Sequence, residues 1–145
     1  MINSKNFRFD FSHFSKLSKI QIDEVENFVN TKINEKLILE EKRNVPIKEA
    51  LDNGAMAFFG EKYGDLVRTI KFGKSIELCG GIHVKNTSDL WYFKIISESS
   101  VASGIRRIEA ITGYHVLKIF ENKINLVDKI SEELKYPENL MKSIK

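Results

Sequence analysis

Cysteine occurs once in these 145 residues, tryptophan once, proline twice and histidine three times. A lone Cys79 forms no intrachain disulfide, which sets aside disulfide-framed secreted domains and points to a reducing intracellular compartment, the cytoplasm. Long apolar runs are missing too. No stretch reaches the roughly 18 uninterrupted apolar residues of a membrane span, and the N-terminus through Ser12 carries no apolar signal core. The chain therefore reads as neither exported nor membrane-spanning. A Walker-type phosphate loop, a G-x-S-x-G elbow and a dinucleotide fingerprint are all absent, so ATP chemistry is not expected of this chain itself. Charge of one sign is lacking as well: 23 Lys and Arg against 20 Asp and Glu leave a net +3, a slight lean toward an RNA partner.

What is present suits one main globular domain with a short appendage. Phe7, Phe9 and Phe11 alternate with Arg8, Asp10 and Ser12, the period-2 pattern of a strand with one buried face. Ser18 and Gln21 fit a capping box, and Ile22, Val25, Val29, Ile33 and Leu37 then recur at helical spacing, predicting a long helix over residues 19–38. Pro46 suits the first turn of a short helix through Leu51 that Gly54 closes, with a further turn expected over Ala55 to Phe59. Strands are predicted at 66–72, 75–79, 90–98 and 104–112, separated by Gly73, by Gly80-Gly81 and by the segment around Ser99 to Ser103. Beyond Gly113, the stripe Val116, Ile119, Phe120, Ile124, Val127, Ile130 and Leu134 predicts an amphipathic helix, and Pro137 restarts a short one carrying Leu140 and Ile144. The expected fold class is α+β, an antiparallel sheet packed by a long helix, with a C-terminal helical appendage.

Chemistry concentrates in Glu77-Leu78-Cys79-Gly80-Gly81-Ile82-His83. A thiol and an imidazole four residues apart across paired glycines make a plausible half of a zinc site, since both are preferred zinc ligands and glycine lets the backbone turn tightly. Zinc takes three or four protein ligands, so this pair needs others; the remaining histidines, His13 and His115, have no partner at a metal-motif spacing. A buried cysteine beside a structural histidine is the competing reading. A protease-like Cys–His pair fits poorly, because no Asn or Asp is set to orient the histidine. In Gly104-Ile105-Arg106-Arg107-Ile108-Glu109 the two arginines point to opposite faces of a strand, where either could meet a phosphate or form a cross-strand ion pair, and Arg107 shares its face with Glu109 as a partner on the same strand. The runs Phe58-Phe59 and Trp91-Tyr92-Phe93 are read as sheet core, with base stacking the alternative.

Four blocks, Arg8 to His13, Gly54 to Tyr63, Glu77 to His83 and Gly104 to Gly113, together resemble the editing domain of alanyl-tRNA synthetases, in that order and at similar spacing. The C-x-x-x-H element alone also occurs in threonyl-tRNA synthetases and free-standing editing proteins; four blocks in register are far more specific. The resemblance implies hydrolysis of the ester that links a wrong amino acid, serine or glycine, to tRNA(Ala). A synthetic pocket excludes glycine and serine poorly, so a second site destroys the error. It further implies a zinc ion held by Cys79 and His83 together with an H-x-x-x-H pair. Gly80, Gly81 and Ile82 would border the substrate, and Arg106 or Arg107 would contact the RNA end.

The departures carry expectations of their own. H-x-x-x-H occurs nowhere in the chain, and in the family it precedes the strand with which this sequence opens, so the zinc site is expected to be incomplete and the isolated chain inactive. Ile82 stands where the family usually has threonine. Residues 1–113 are thus expected to form the editing-type domain and 114–145 the start of the following helical region of an ATP-dependent alanine–tRNA ligase. Its ATP and magnesium would belong to a catalytic domain outside this chain, and its partners would be tRNA(Ala), including mischarged forms, and the remainder of the synthetase. A free-standing trans-editing deacylase and a non-catalytic tRNA-binding module are the alternatives.

Overall fold

The computed structural model describes residue 2 and residues 6–57 and 62–143. Phe58, Phe59, Gly60 and Ile144, which figure in the expectations above, lie outside the described residues. Two compact units are present: Ser18–Tyr92, and Met1–Leu17 with Phe93–Lys145. The class is α+β as expected, with the strands divided between two antiparallel sheets of three strands each.

The Ser18–Tyr92 unit opens with α1 (Lys19–Asn34). Its predicted capping box is formed: Gln21 N donates to Ser18 Oγ at 3.2 Å, and Ser18 N donates to Gln21 Oε1 at 2.9 Å. The buried face differs from the predicted stripe, because Glu26, Asn30 and Ile33 are buried while Val25 is exposed. The helix also stops short of residue 38. Thr87, 50 residues beyond Leu37, brings a hydroxyl that accepts from Leu37 N at 2.9 Å and donates to Lys32 O at 2.9 Å, Asn86 Nδ2 donates to Lys36 O, and Lys36 turns into positive φ. A helix end leaves carbonyls without intrahelical donors, and here a distant loop supplies them. Thr87→Val is expected to cost about 1–3 kcal/mol by stranding these groups; urea unfolding measures it, and an unchanged midpoint would show that water replaces the hydroxyl.

The sheet of this unit runs β2 (Leu39–Pro46), β3 (Leu66–Phe72), β4 (Ser75–Leu78). No strand was expected at β2, whose only buried side chain is Val45 and whose Glu40 and Glu41 face Lys71 and Arg68 of β3. Two-residue connection of β3 to β4 places Gly73 at φ 59°, and a Cβ there would stand 3.2 Å from Leu37 Cδ1, so both conformation and space call for glycine. After α2 (Ile47–Asp52), Met56 bridges the free side of β4, with Met56 N donating to Ile76 O and Leu78 N to Met56 O at 3.0 Å. Val45, Ala50, Ala55, Val67 and Leu78 form the core beneath, packed by Ile47, Tyr63 and Ile76. Ala55 and Met56 thus serve the sheet instead of continuing the turn expected there.

The other unit holds β1 (Phe7–Ser12), β6 (Ile105–Thr112) and β5 (Phe93–Ala102), with β6 central. Strand β5 begins three residues later than expected, because Thr87–Leu90 is a 3-10 helix and Trp91 follows at φ 58°, ψ −67°, a γ-turn closed by Tyr92 N donating to Leu90 O. Of the aromatic run, only Phe93 enters a core; Trp91 and Tyr92 are exposed. Phe7, Phe9 and Phe11 stack along β1 at 6.1 Å between successive rings, yet Phe9 is exposed, since β1 is an outer strand of the sheet. Helix α3 (Tyr114–Glu133) follows Gly113 and buries Val116 completely, whereas Phe120, Ile124 and Val127 of its apolar stripe are exposed. A short α4 (Leu140–Ser143) comes after Pro137.

Candidate metal centre

Strand β4 ends at Leu78 and delivers Cys79 directly to the turn. Leu78 is 2% exposed and bonded on both sides, to Met56 and across β3, so the strand end is anchored where the turn begins. Cys79 N still donates to Arg68 O at 3.2 Å, extending the ladder by one rung. The thiol is free and partly buried, with Gly81 N 3.4 Å from Sγ. Neither Gly80 nor Gly81 adopts the left-handed φ of Gly54, Gly73, Gly104 and Gly113. A Cβ on Gly81 would lie in ordinary contact with Sγ at 3.5 Å, and a Cβ on Gly80 would meet nothing.

Ile82 is fully exposed, whereas His83 is half-buried. Its ring lies 6.4 Å from that of Phe72, and its Nε2 is buried with no hydrogen-bond partner. Buried ring nitrogens are normally bonded, so an orphan four residues from a free thiol is a group that could serve as a metal ligand. Among the described residues no third His, Cys, Asp or Glu joins the pair.

One neighbour was not singled out by sequence. Arg68 of β3 donates through Nη1 to Cys79 O at 3.0 Å and to Gly81 O, and through Nε and Nη2 to the two oxygens of Glu41 at 3.0 and 3.2 Å. The hydrogen bonds from Arg68 and Arg43 hold the Glu41 carboxyl at about 2, far below its ordinary 4.5. An arginine at the middle of a strand reads as an ordinary surface cation, and its carboxylate partner sits in the charge run where no strand was expected.

Arg106 and Arg107 belong to the other unit and are both paired. Arg106 Nε lies 2.5 Å from Glu98 Oε1, a carboxylate whose side chain is 4% exposed and whose second oxygen has no partner. Arg107 forks onto Asp10, with Nε and Nη2 each 2.6 Å from a carboxylate oxygen, and lowers that carboxyl's pKa. Glu109, the expected partner of Arg107, accepts instead from Ser97 Oγ at 2.9 Å. His13 stands near Ser15, and His115 beside Tyr114.

Comparison with known proteins places residues 67–109 in the family described as the threonyl and alanyl tRNA synthetase second additional domain. The chain is 58% identical over 144 residues to the alanine–tRNA ligase of Christiangramia forsetii, matching 99% of this chain and 16% of that protein. It is 59% identical over 144 residues to that of Flavobacterium psychrophilum, with the same coverage, and 45% identical over 138 residues to that of Listeria monocytogenes, matching 93% of this chain and 15% of that protein. The chain thus spans about a sixth of the length of these relatives.

Proposed function

This chain belongs to the alanine–tRNA ligase family as a segment carrying the second additional domain, and we propose that it forms the editing site of such a synthetase. The intact enzyme would join alanine to tRNA(Ala) with ATP and magnesium in a catalytic part outside this chain, in the cytoplasm. The segment described here would hydrolyse seryl- or glycyl-tRNA(Ala). No described helix is long and apolar enough to cross a membrane. The observation that carries the editing reading is the orphaned, buried Nε2 of His83 in one turn with the free thiol of Cys79.

The residues present fit zinc as two of its ligands, a soft thiolate and an imidazole nitrogen with no partner in the fold. The other ligands would come from elsewhere in the synthetase chain. When bound, zinc supplies Lewis-acid chemistry at the ester carbonyl or a water. Cys79 and His83 hold the ion, while Gly80, Gly81 and exposed Ile82 border the amino acid and its terminal ribose. Arg106 and Arg107 already serve Glu98 and Asp10, so an RNA phosphate approaching either one competes with a carboxylate.

Deacylation assays with the full synthetase carrying this segment test the proposal. Seryl- and glycyl-tRNA(Ala) are expected to be hydrolysed well above the buffer rate and alanyl-tRNA(Ala) to be spared. Salt-dependent tRNA binding with all three esters decaying at the buffer rate would instead mark a non-catalytic RNA-binding module.

A further inference from the structure

Past Cys79 the turn leaves the sheet, and carbonyls that leave a ladder need donors from somewhere else. Arg68 is that donor for both Cys79 O and Gly81 O. All but one of its guanidinium N–H groups are engaged, two on these carbonyls and two on Glu41, and its own carbonyl accepts from Cys79 N. Glu41 lies on β2, across β3 from the turn, and also accepts from Arg43. A rigid planar fork is therefore clamped at one end by a carboxylate of the sheet and at the other by the main chain of the turn.

We propose that Arg68 is a positioning residue for the metal centre: anchored by Glu41, it fixes the carbonyls of Cys79 and Gly81 so that Cys79 Sγ and His83 Nε2 are set for one ion. The inference rests on the zinc-site reading above and goes beyond it, because Arg68 touches neither ligand atom nor substrate. Groups that orient metal ligands from behind govern affinity strongly, since an ion that must first order its own turn binds more weakly. Lysine can satisfy a carbonyl but cannot fork a carboxylate at the same time.

Cobalt(II) titration of the full synthetase chain, following the thiolate-to-cobalt band that Cys79→Ser removes, tests this together with amide hydrogen exchange of the Gly80–His83 peptide in the metal-free protein. Arg68→Ala is expected to weaken cobalt binding by about 10–100-fold and to speed exchange in that peptide by about 10-fold, with other peptides unchanged. Arg68→Lys should recover part of both effects. Glu41→Gln, which leaves the turn's donor in place and removes its anchor, should move both in the same direction by a smaller factor, and serves if Arg68→Ala does not fold. Folded variants with cobalt affinity and exchange within about 2-fold of the parent overturn the role of Arg68 alone. A parent chain with no cobalt–thiolate band overturns the zinc-site reading and, with it, the role assigned to Arg68.

Discussion

Replacing Leu78 by alanine is expected to destabilise the Ser18–Tyr92 unit by about 2–5 kcal/mol, the largest stability loss of any single substitution proposed for this chain. Leu78 is 2% exposed and packs with Val45, Ala50, Ala55 and Val67, side chains from a strand, a helix, a loop and another strand. Removing its branched end leaves a hole among buried neighbours that are small or β-branched, with little reach to refill it. Because the next residue is Cys79, the loss also unseats the start of the turn. Urea unfolding should show a lower midpoint at an unchanged slope, and Leu78→Met, which nearly conserves volume, should cost less than about 1.5 kcal/mol. A loss below about 1 kcal/mol for the alanine variant would mean that the cluster collapses around the gap, and that the turn does not depend on it.

His83→Ala is expected to behave in the opposite way. Its Nε2 has no partner in the fold, so truncation strands no donor or acceptor, and the metal-free chain should lose no more than about 1 kcal/mol through the Phe72 contact. Metal binding and hydrolysis of seryl-tRNA(Ala) by the full synthetase should nonetheless fall by more than the 10–100-fold or so typical of a residue that merely supports a ligand. Alanylation should be untouched, since the editing reading assigns it to another part of the enzyme. Zinc content by atomic absorption, unfolding midpoint and deacylation rate on one preparation decide the matter. A variant that keeps its zinc and its deacylation rate would leave His83 a packing residue.

How far these features were legible in the sequence depended on how local they are. The Ser18–Gln21 cap needs only residues three apart, and it formed as read. Strands β3 and β6 carry enough apolar and β-branched residues to show themselves. Strand β2 does not: Glu40, Glu41, Lys42 and Arg43 spell a solvated run, and the segment is a strand because Lys71 and Arg68 of β3 pair with it. The end of α1 was misplaced for the same reason, its terminus being decided by Thr87. Cys79 and His83 stood out by residue type and spacing alone. The Arg68–Glu41 clamp joins positions 27 apart and left no mark that a reading along the chain could find.

The outer strand β2 has one more consequence. An unpaired strand edge is a template on which a second chain can extend the sheet. Here, beyond Leu39, whose N donates to Lys85 O, that edge offers two acidic and then two basic side chains, Glu40 to Arg43, and at Asn44, φ 56°, the register with β3 slips between Lys42 and Val45. An incoming strand would find charges where it needs apolar neighbours and a kink where it needs straight backbone, so the unanticipated charge run guards the sheet against fibril-like growth.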